Sequence, residues 1–214
     1  MKKTTILCVM ALLCLKKTKA GTCQPWLGLK LKACLLLATS LVLCTGQLKA
    51  QEIKAFKIGE RLPETFWQQE HSILKNGKTT TSNFKQLKGK PFLLDFWATW
   101  CSACLKGFPK MQDLQNRYSK NLNILMVNTY EKDTLPVLEQ FYQKQQQAIK
   151  SFSLSLVASD AALKNMFAVK SIPHYIWVGA DGRIKAITDA EAVTELQVKR
   201  FIAGLSLNLK LKER

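Results

Sequence analysis

Two cysteines, Cys101 and Cys104, are separated by two residues where a predicted strand is followed by a predicted helix. The free backbone N–H groups at the start of a helix, together with the positive end of its dipole, favour a thiolate over a thiol. We therefore expect Cys101 to be the nucleophile. Cys104 lies one helical turn later on the same face, where it can attack a mixed disulfide formed at Cys101 and release the partner in reduced form. The pair predicts thiol–disulfide exchange.

A Cys-x-x-Cys pair has two other common uses, a zinc site and a structural disulfide. A structural zinc site needs about four protein ligands. Residues 51–214 contain no further cysteine and only two histidines, His71 and His174, so we expect no metal and no other cofactor. A structural disulfide stays open as an alternative, although a loop this small restrains the unfolded chain little.

The residues on either side of the pair predict the two elements that position it. The run at 92–97 is short and almost continuously apolar, which is typical of a strand covered on both faces. Over 102–118 the apolar residues recur at helical spacing, and Pro109 within this segment is expected to kink the helix.

The rest of the chain beyond residue 50 alternates between strand and helix patterns, starting with a hairpin turn at Asn76-Gly77. Asp133 and Asp160 are predicted to cap the second and third helices, and Gly204 to stop the last. Further strands are predicted at 122–127, 152–157, 175–178 and 184–187, and further helices at 133–147, 160–167 and 191–203. This order predicts an α/β fold whose central mixed β-sheet is flanked by helices on both faces, with an N-terminal β-hairpin extension.

Residues 1–50 have a composition of their own, with eight lysines, no acid and five of the seven cysteines of the chain. Without them the formal net charge falls from +17 to +9. The remaining basic residues are scattered and do not alternate with aromatic residues, so we expect no nucleic-acid partner. We divide the chain into a leader at 1–50, one domain at 51–204 and a C-terminal tail at 205–214.

The leader resembles a secretory signal peptide, because an apolar run at 33–44 follows two lysines and precedes the small residue Ala50. The run is shorter than the roughly 20 residues of a membrane span. We expect cleavage after Ala50. Lipidation at Cys44 and a retained membrane anchor, using a second apolar run at 6–15, are the alternatives.

Beyond the leader, the only cysteines are Cys101 and Cys104. A domain that keeps a single Cys-x-x-Cys pair suits an oxidising compartment, where stray thiols form wrong disulfides. Together with the leader, this pattern predicts an exported protein of the periplasm, either free or anchored to the membrane through residues 1–50.

The segment from Asp95 to Cys104, which contains Trp-Ala-Thr-Trp-Cys-Ser-Ala-Cys, resembles the active-site segment of thioredoxins. The longer stretch from Asn76 to Pro109 resembles the TlpA/ResA branch of exported thioredoxin-like proteins, and the resemblance extends over about 58–203. It implies a thioredoxin fold and an enzyme that exchanges disulfides with exported proteins, with protein-disulfide reduction as the direction.

The resemblance also assigns roles on the substrate side of the pair. Ser171-Ile172-Pro173 resembles the cis-proline loop of thioredoxins, which implies that Pro173 is cis and that the Ile172 backbone pairs with an extended substrate segment. The residues alone fit a trans proline at the start of a strand equally well. Trp100 is expected to give substrate an exposed apolar contact, and His174 completes the expected substrate-binding set.

Three further positions match the family or depart from it. Asp95 matches the buried acid of thioredoxins, which implies proton exchange with Cys104 aided by a raised pKa; the alternative is a strand residue that faces solvent. His174 stands where thioredoxins usually have threonine, and it either tunes the sulfurs or is an ordinary strand histidine. Gly107 occupies a position where many ResA-like proteins have glutamate, so the role of that glutamate cannot be transferred.

Three other functions compete with a reductase: a disulfide-forming oxidase, a redox-inactive peptide-binding module of thioredoxin fold, and a peroxidase. For the reductase, the expected partners are substrate proteins with disulfides or thiols and a membrane-bound electron donor, a partner that the family implies. We expect the protein to be a monomer.

Overall fold

The computed structural model of the protein describes residues 55–212, so the leader at 1–50 and the positions Cys44 and Ala50 lie outside the described part. The domain contains seven strands and five α-helices within that range. The strands are β1 (His71–Lys75), β2 (Lys78–Ser82), β3 (Phe92–Trp97), β4 (Asn123–Asn128), β5 (Ser155–Val157), β6 (His174–Val178) and β7 (Ile184–Thr188). The helices are α1 (Glu64–Gln68), α2 (Ser102–Tyr118), α3 (Leu135–Ala148), α4 (Ala161–Met166) and α5 (Glu195–Ile202).

The strands form one mixed sheet in the order β2-β1-β5-β4-β3-β6-β7. β4 is parallel to both β3 and β5, whereas β6 is antiparallel to β3 and β7. At one edge β1 and β2 form an antiparallel hairpin, whose turn residues Asn76 and Gly77 both have positive φ angles, as a type I′ turn requires. The mixed sheet and the N-terminal hairpin are confirmed.

Helices cover both faces of the sheet. For this reason β3 is buried along its whole length, and its side chains point alternately into two cores. Leu93 and Trp97 pack on the side of α2, α3 and α5, whereas Leu94 and Phe96 pack on the side of α1 and α4. This arrangement confirms the predicted α/β architecture. No helix within residues 55–212 has the length and apolar character needed to cross a membrane.

The helix that begins at the cysteines has the bounds predicted from its apolar spacing, and Pro109 lies inside it. Two glutamines fix it to the sheet. The buried Gln112 accepts the N–H of Ser153 at 2.7 Å, and Gln115 accepts the N–H of Ile124 at 2.7 Å. These bonds pair one backbone N–H near the start of β4 and one just before β5, which would otherwise be left unsatisfied.

Two predicted element boundaries are wrong, because regular backbone hydrogen bonding covers fewer residues than the sequence pattern does. The third strand, predicted at 152–157, is limited to Ser155–Val157, since only these residues pair with β4. The last helix, predicted at 191–203, is preceded by a separate 3₁₀ turn at Ala190–Ala192 and begins after Thr194, whose hydroxyl accepts the N–H of Gln197.

The prediction that Asp133 caps the second helix is also wrong. α3 begins after Thr134, and no side chain caps it. Asp133 instead directs its carboxylate to the loop that carries the cysteines. By contrast, Asp160 caps α4 as predicted, and its carboxylate accepts the N–H of Leu163 at 2.8 Å.

Candidate active site

The two cysteines lie at the start of α2 and are joined by a disulfide bond. Cys101 is the N-cap residue of the helix, and its sulfur accepts the N–H of Cys104 at 3.2 Å. Cys104 is 1% exposed and Cys101 6% exposed, so the first sulfur is the more accessible of the two. A partner therefore meets Cys101 first, while Cys104 lies behind it, within the core.

The loop between β3 and α2 is fixed from below by Asp133, a carboxylate that is only 3% exposed. Its two oxygens accept the N–H of Thr99 at 2.9 Å and the Thr99 hydroxyl at 2.5 Å. The Asn128 side-chain amide donates to the same carboxylate at 2.7 Å. Hydrogen bonds to a charged acceptor are the strong ones in a protein interior. Asp133 thus holds in place the backbone two residues before Cys101.

Parallel pairing explains why these groups meet. β3 and β4 run in the same direction, so Thr99, just beyond β3, lies beside the end of β4 at Asn128. Ser159 lies just after β5, and its hydroxyl donates to the backbone carbonyl of Asp133 at 2.6 Å. The active-site loop therefore rests on the ends of two neighbouring strands.

Asp95 lies on β3 between Leu93 and Trp97, on the face of the sheet that α2 covers. The residue is fully buried, which excludes the alternative in which it faces solvent. Burial raises the pKa of its carboxyl group to about 7, against smaller opposite effects of the Tyr175 hydroxyl and of Lys110. A carboxyl group with this pKa can take up and release a proton near neutral pH.

The Ser171–Pro173 loop precedes β6, and its Ile172–Pro173 peptide bond is cis. Lys212, in the C-terminal tail, donates to the carbonyls of Ser171 at 3.2 Å and Pro173 at 2.7 Å. The same ammonium group forms an ion pair with Asp189 at 2.7 Å, and the Lys212 N–H donates to Ile187. The tail thus runs beside β7 and holds the proline loop through the carbonyls on either side of Ile172.

A groove of about 330 Å³ lies between the cysteine loop and the proline loop. Trp100 and Ile172 stand on its two sides, and Trp100 is 63% exposed. Tyr130 supports Trp100 by an edge-on ring contact at 6.0 Å between centroids. Exposed large aromatic side chains are common where proteins bind partners. Trp100 and Ile172 therefore line one accessible surface, and Cys101 follows Trp100 directly in the chain.

His174 lies outside this set. Its register partner on β3 is Phe96, and its ring meets the Phe96 ring edge-on at 5.8 Å. Phe96 belongs to the core on the opposite side of the sheet from Cys104. The buried His174 ring therefore points away from the sulfurs, as expected for the alternative of an ordinary strand histidine.

Three residues of this region were missed by reasoning from sequence: Tyr175, Lys212 and Asp133 in its observed role. Asp133 and Asn128 follow the end of a predicted buried strand, a position that could have marked them as loop supports. The roles of Tyr175 and Lys212 depend on contacts between distant segments. Among residues 55–212, no three histidine, cysteine, aspartate or glutamate side chains are grouped so that they could hold a metal ion.

Comparison with known proteins finds a family model that matches the segment around this site. A family model described as thioredoxin-like matches residues 89–184, a segment that contains the cysteine pair, Asp95 and Pro173. This segment is a thioredoxin-like domain. The matched segment contains β3 to β6 and α2 to α4, and the thioredoxin-like resemblance of the sequence motifs is confirmed.

Two relatives of the thioredoxin-like domain are called thiol-disulfide oxidoreductase ResA. The chain is 26% identical to that of Oceanobacillus iheyensis over 157 residues, covering 72% of this chain and 76% of that protein. It is 30% identical to that of Bacillus cereus over 124 residues, covering 56% of this chain and 64% of that protein. The solved structure of MTB dsbF, in mixed oxidized and reduced forms, has a TM-score of 0.52 and 20% identity, covering 67% of this chain and 98% of that chain. This last likeness shows the fold.

Proposed function

We propose that the protein is a thiol–disulfide oxidoreductase that exchanges disulfides with other proteins through Cys101 and Cys104. The observation that carries the proposal is the disulfide at the first turn of α2, with the more accessible sulfur at the N-cap. The relatives named thiol-disulfide oxidoreductase support the same activity.

In the reducing direction, the Cys101 thiolate attacks one sulfur of a substrate disulfide. A bond forms between Cys101 and that sulfur, the substrate disulfide breaks, and the other substrate sulfur leaves as a thiolate that takes a proton from solvent. The N–H groups at the start of α2, including that of Cys104 at 3.2 Å from the Cys101 sulfur, stabilise negative charge on Cys101.

The second step resolves the mixed disulfide. The Cys104 thiol gives its proton to the Asp95 carboxylate, and the resulting thiolate attacks the Cys101 sulfur. The enzyme disulfide forms, and the second substrate sulfur leaves as a thiolate. Two electrons pass from the cysteine pair to the substrate. Asp95 suits this role because its pKa of about 7 lets it accept a proton at neutral pH and return it when the enzyme is reduced again.

Substrate binding is assigned to the groove between Trp100 and the proline loop. An extended segment would pair with the Ile172 backbone and pack against the Trp100 ring, with its sulfur above Cys101. Pro173 fixes the backbone of this loop directly after Ile172. We do not include His174 in the groove, because its ring packs on Phe96.

We infer reduction as the direction, on the basis of the ResA resemblance. A disulfide-forming oxidase uses the same residues, and the reduction potential separates the two. Equilibration with glutathione should give a potential near that of thioredoxin, about −270 mV, rather than that of the oxidant DsbA, about −120 mV. A value close to the latter would assign the protein to disulfide formation instead.

The activity itself is tested by insulin reduction with the wild type, Cys101→Ser, Cys104→Ser and the control Ser102→Ala. Ser102 lies between the cysteines and is exposed, so the control changes the loop without removing a sulfur. We expect Ser102→Ala to stay active and both cysteine variants to lose the activity. Equal rates for the wild type and Cys101→Ser would favour the redox-inactive peptide-binding module. Rapid consumption of peroxide by the wild type would favour the peroxidase.

We propose that the protein works outside the cytosolic membrane, in the periplasm, as a monomer reduced by a membrane-bound donor. The signal-like pattern of residues 1–50 and the confinement of the other five cysteines to that leader support export. Cys104→Ser in the full chain should trap partners as mixed disulfides. Trapping of cytosolic proteins alone, or recovery of the full chain in the cytosolic fraction, would contradict this assignment.

A further inference from the structure

Tyr175 lies directly opposite Asp95 in the sheet. The two residues are register partners in the antiparallel pair β3 and β6, so their side chains point to the same face. That face is the one covered by α2, and both residues are fully buried there. A hydroxyl group and a carboxyl group are therefore neighbours inside the core, below the cysteine helix.

The ring of Tyr175 places its hydroxyl under the turn of α2 that follows Cys104. Gly107 begins this turn, and a Cβ atom added to it would lie 3.6 Å from the Tyr175 Oη. The hydroxyl thus reaches the level of the helix backbone three residues beyond Cys104. Because Gly107 has no side chain, nothing at that position separates the hydroxyl from the surface of the helix.

The two groups have few other partners. Within residues 55–212, the two Asp95 carboxylate oxygens and the Tyr175 Oη form no hydrogen bond of normal geometry to any protein group. The hydroxyl nevertheless acts on the carboxylate, because its interaction with Asp95 lowers the pKa of the acid against the effect of burial. Buried polar groups are rarely left without a partner, and each group is the natural partner of the other.

We propose that Tyr175 is a positioning residue for proton exchange between Asp95 and Cys104: when Asp95 is ionised, the Tyr175 hydroxyl donates to the carboxylate and holds it beneath the α2 turn that follows Cys104. This inference rests on the proposed function, since it describes the second step of that reaction. Tyr175 gives up no proton. Burial and the nearby Asp95 charge raise the pKa of its hydroxyl well above the ordinary value, so the hydroxyl stays protonated and remains a donor.

Two charged side chains also act on this pair. Lys110, one turn beyond Gly107, attracts the Asp95 charge, while its ammonium donates to the carbonyl of Ala190 at 3.3 Å. Glu191 acts on both Lys110 and Tyr175. Lys110 and Glu191 are exposed, so solvent weakens their effect. The Tyr175 hydroxyl acts from within the core, where a donor to a charged group is most effective.

The test is the pH dependence of the resolving step in Tyr175→Phe, which keeps the ring and removes the donor. Without the donor the ionised form of Asp95 is less stable, so its pKa rises. We expect the midpoint of the pH–rate profile to move upward by about one pH unit, the effect of losing one hydrogen bond to a charged group. The profile is measured by single-turnover release of a model peptide from its mixed disulfide with Cys101.

Tyr142→Phe is the matched control. The Tyr142 side chain is also buried on the α2 side, and its hydroxyl accepts the N–H of Asn76 at 2.9 Å, away from Asp95. Its loss should leave the midpoint where it is in the wild type. In an Asp95→Asn background, Tyr175→Phe should also have no effect on the profile, because the group that the hydroxyl acts on is gone.

The outcomes separate this inference from the proposed function. An upward shift in Tyr175→Phe that is absent from Tyr142→Phe supports the role of Tyr175. An active wild type with the same midpoint in Tyr175→Phe overturns that role and leaves the proposed function intact. A shift of equal size in the Asp95→Asn background also overturns it. A wild type that resolves no mixed disulfide refutes the proposed function and this inference together.

Discussion

The buried carboxyl of Asp95 should make the stability of the domain depend on pH. Burial raises its pKa from 3.8 to about 7 in the folded protein. Between these two values the folded state holds the proton and the unfolded chain does not, so stability falls as pH rises. Below this window both states are protonated, and the contribution of Asp95 is constant. Above the window both are ionised, and the full destabilisation is present.

The size of the effect follows from the interval between the two pKa values. From 3.8 to about 7, at about 1.4 kcal/mol for each unit, the ionised carboxylate destabilises the fold by about 4 kcal/mol at high pH. Asp95→Asn has a similar shape and no titration. As pH rises through this window, the free energy of unfolding of the variant should therefore increase by about 4 kcal/mol relative to that of the wild type. This change does not depend on how the two proteins differ in stability at acid pH.

Urea unfolding of the oxidised proteins at a series of pH values measures this gain. The control is Asp113→Asn, which removes a carboxylate that is exposed and paired with Arg117 on α2. The free energy of unfolding of the control should differ little from that of the wild type at every pH. A difference between Asp95→Asn and the wild type that stays constant from acid to alkaline pH would refute the account of Asp95 as a buried group with a raised pKa.

Three further substitutions have expected outcomes. Asp133→Ala removes the acceptor of Thr99 and Asn128, so urea unfolding should show a loss of about 3 kcal/mol, with slower insulin reduction; unchanged stability would contradict the support of the cysteine loop. Gly107→Ala should stabilise by about 0.5–1 kcal/mol, since its Cβ meets Tyr175 at an ordinary 3.6 Å; a loss would show that the turn is tighter. Trp100→Ala should change stability by less than about 0.5 kcal/mol and raise the KM for peptide substrates several-fold, because the ring is exposed at the groove; an unchanged KM would remove Trp100 from the binding surface.

The central part of the fold could be predicted because its signals are local. The continuous apolar run at β3 and the helical spacing over α2 each specify an element without reference to the rest of the chain. The position of Cys101 at the junction of the two follows directly. The burial of Asp95 could also be expected, since its neighbours on both sides are apolar.

Contacts between distant segments could not be predicted in the same way. Tyr175 belongs to a strand with no local mark of its partner, and only the antiparallel register of β6 against β3 places it opposite Asp95. For Asp133, the local sequence predicts a helix cap, and this prediction is wrong. Its carboxylate instead accepts three hydrogen bonds from Thr99 and Asn128, at the ends of β3 and β4. For His174, a shift of one position along the strand would move the side chain to the other face of the sheet. The structure places its ring on the face away from the sulfurs.

Alkylation of the reduced protein as a function of pH tests the central claim most directly, because it reports which sulfur is the thiolate. With limiting iodoacetamide and identification of the labelled residue by mass spectrometry, we predict that Cys101 reacts first, with a midpoint well below the value of about 8.5 for an ordinary thiol. Cys104 should be labelled slowly at every pH. Labelling of Cys104 before Cys101, or a Cys101 midpoint at or above that of an ordinary thiol, would contradict the account.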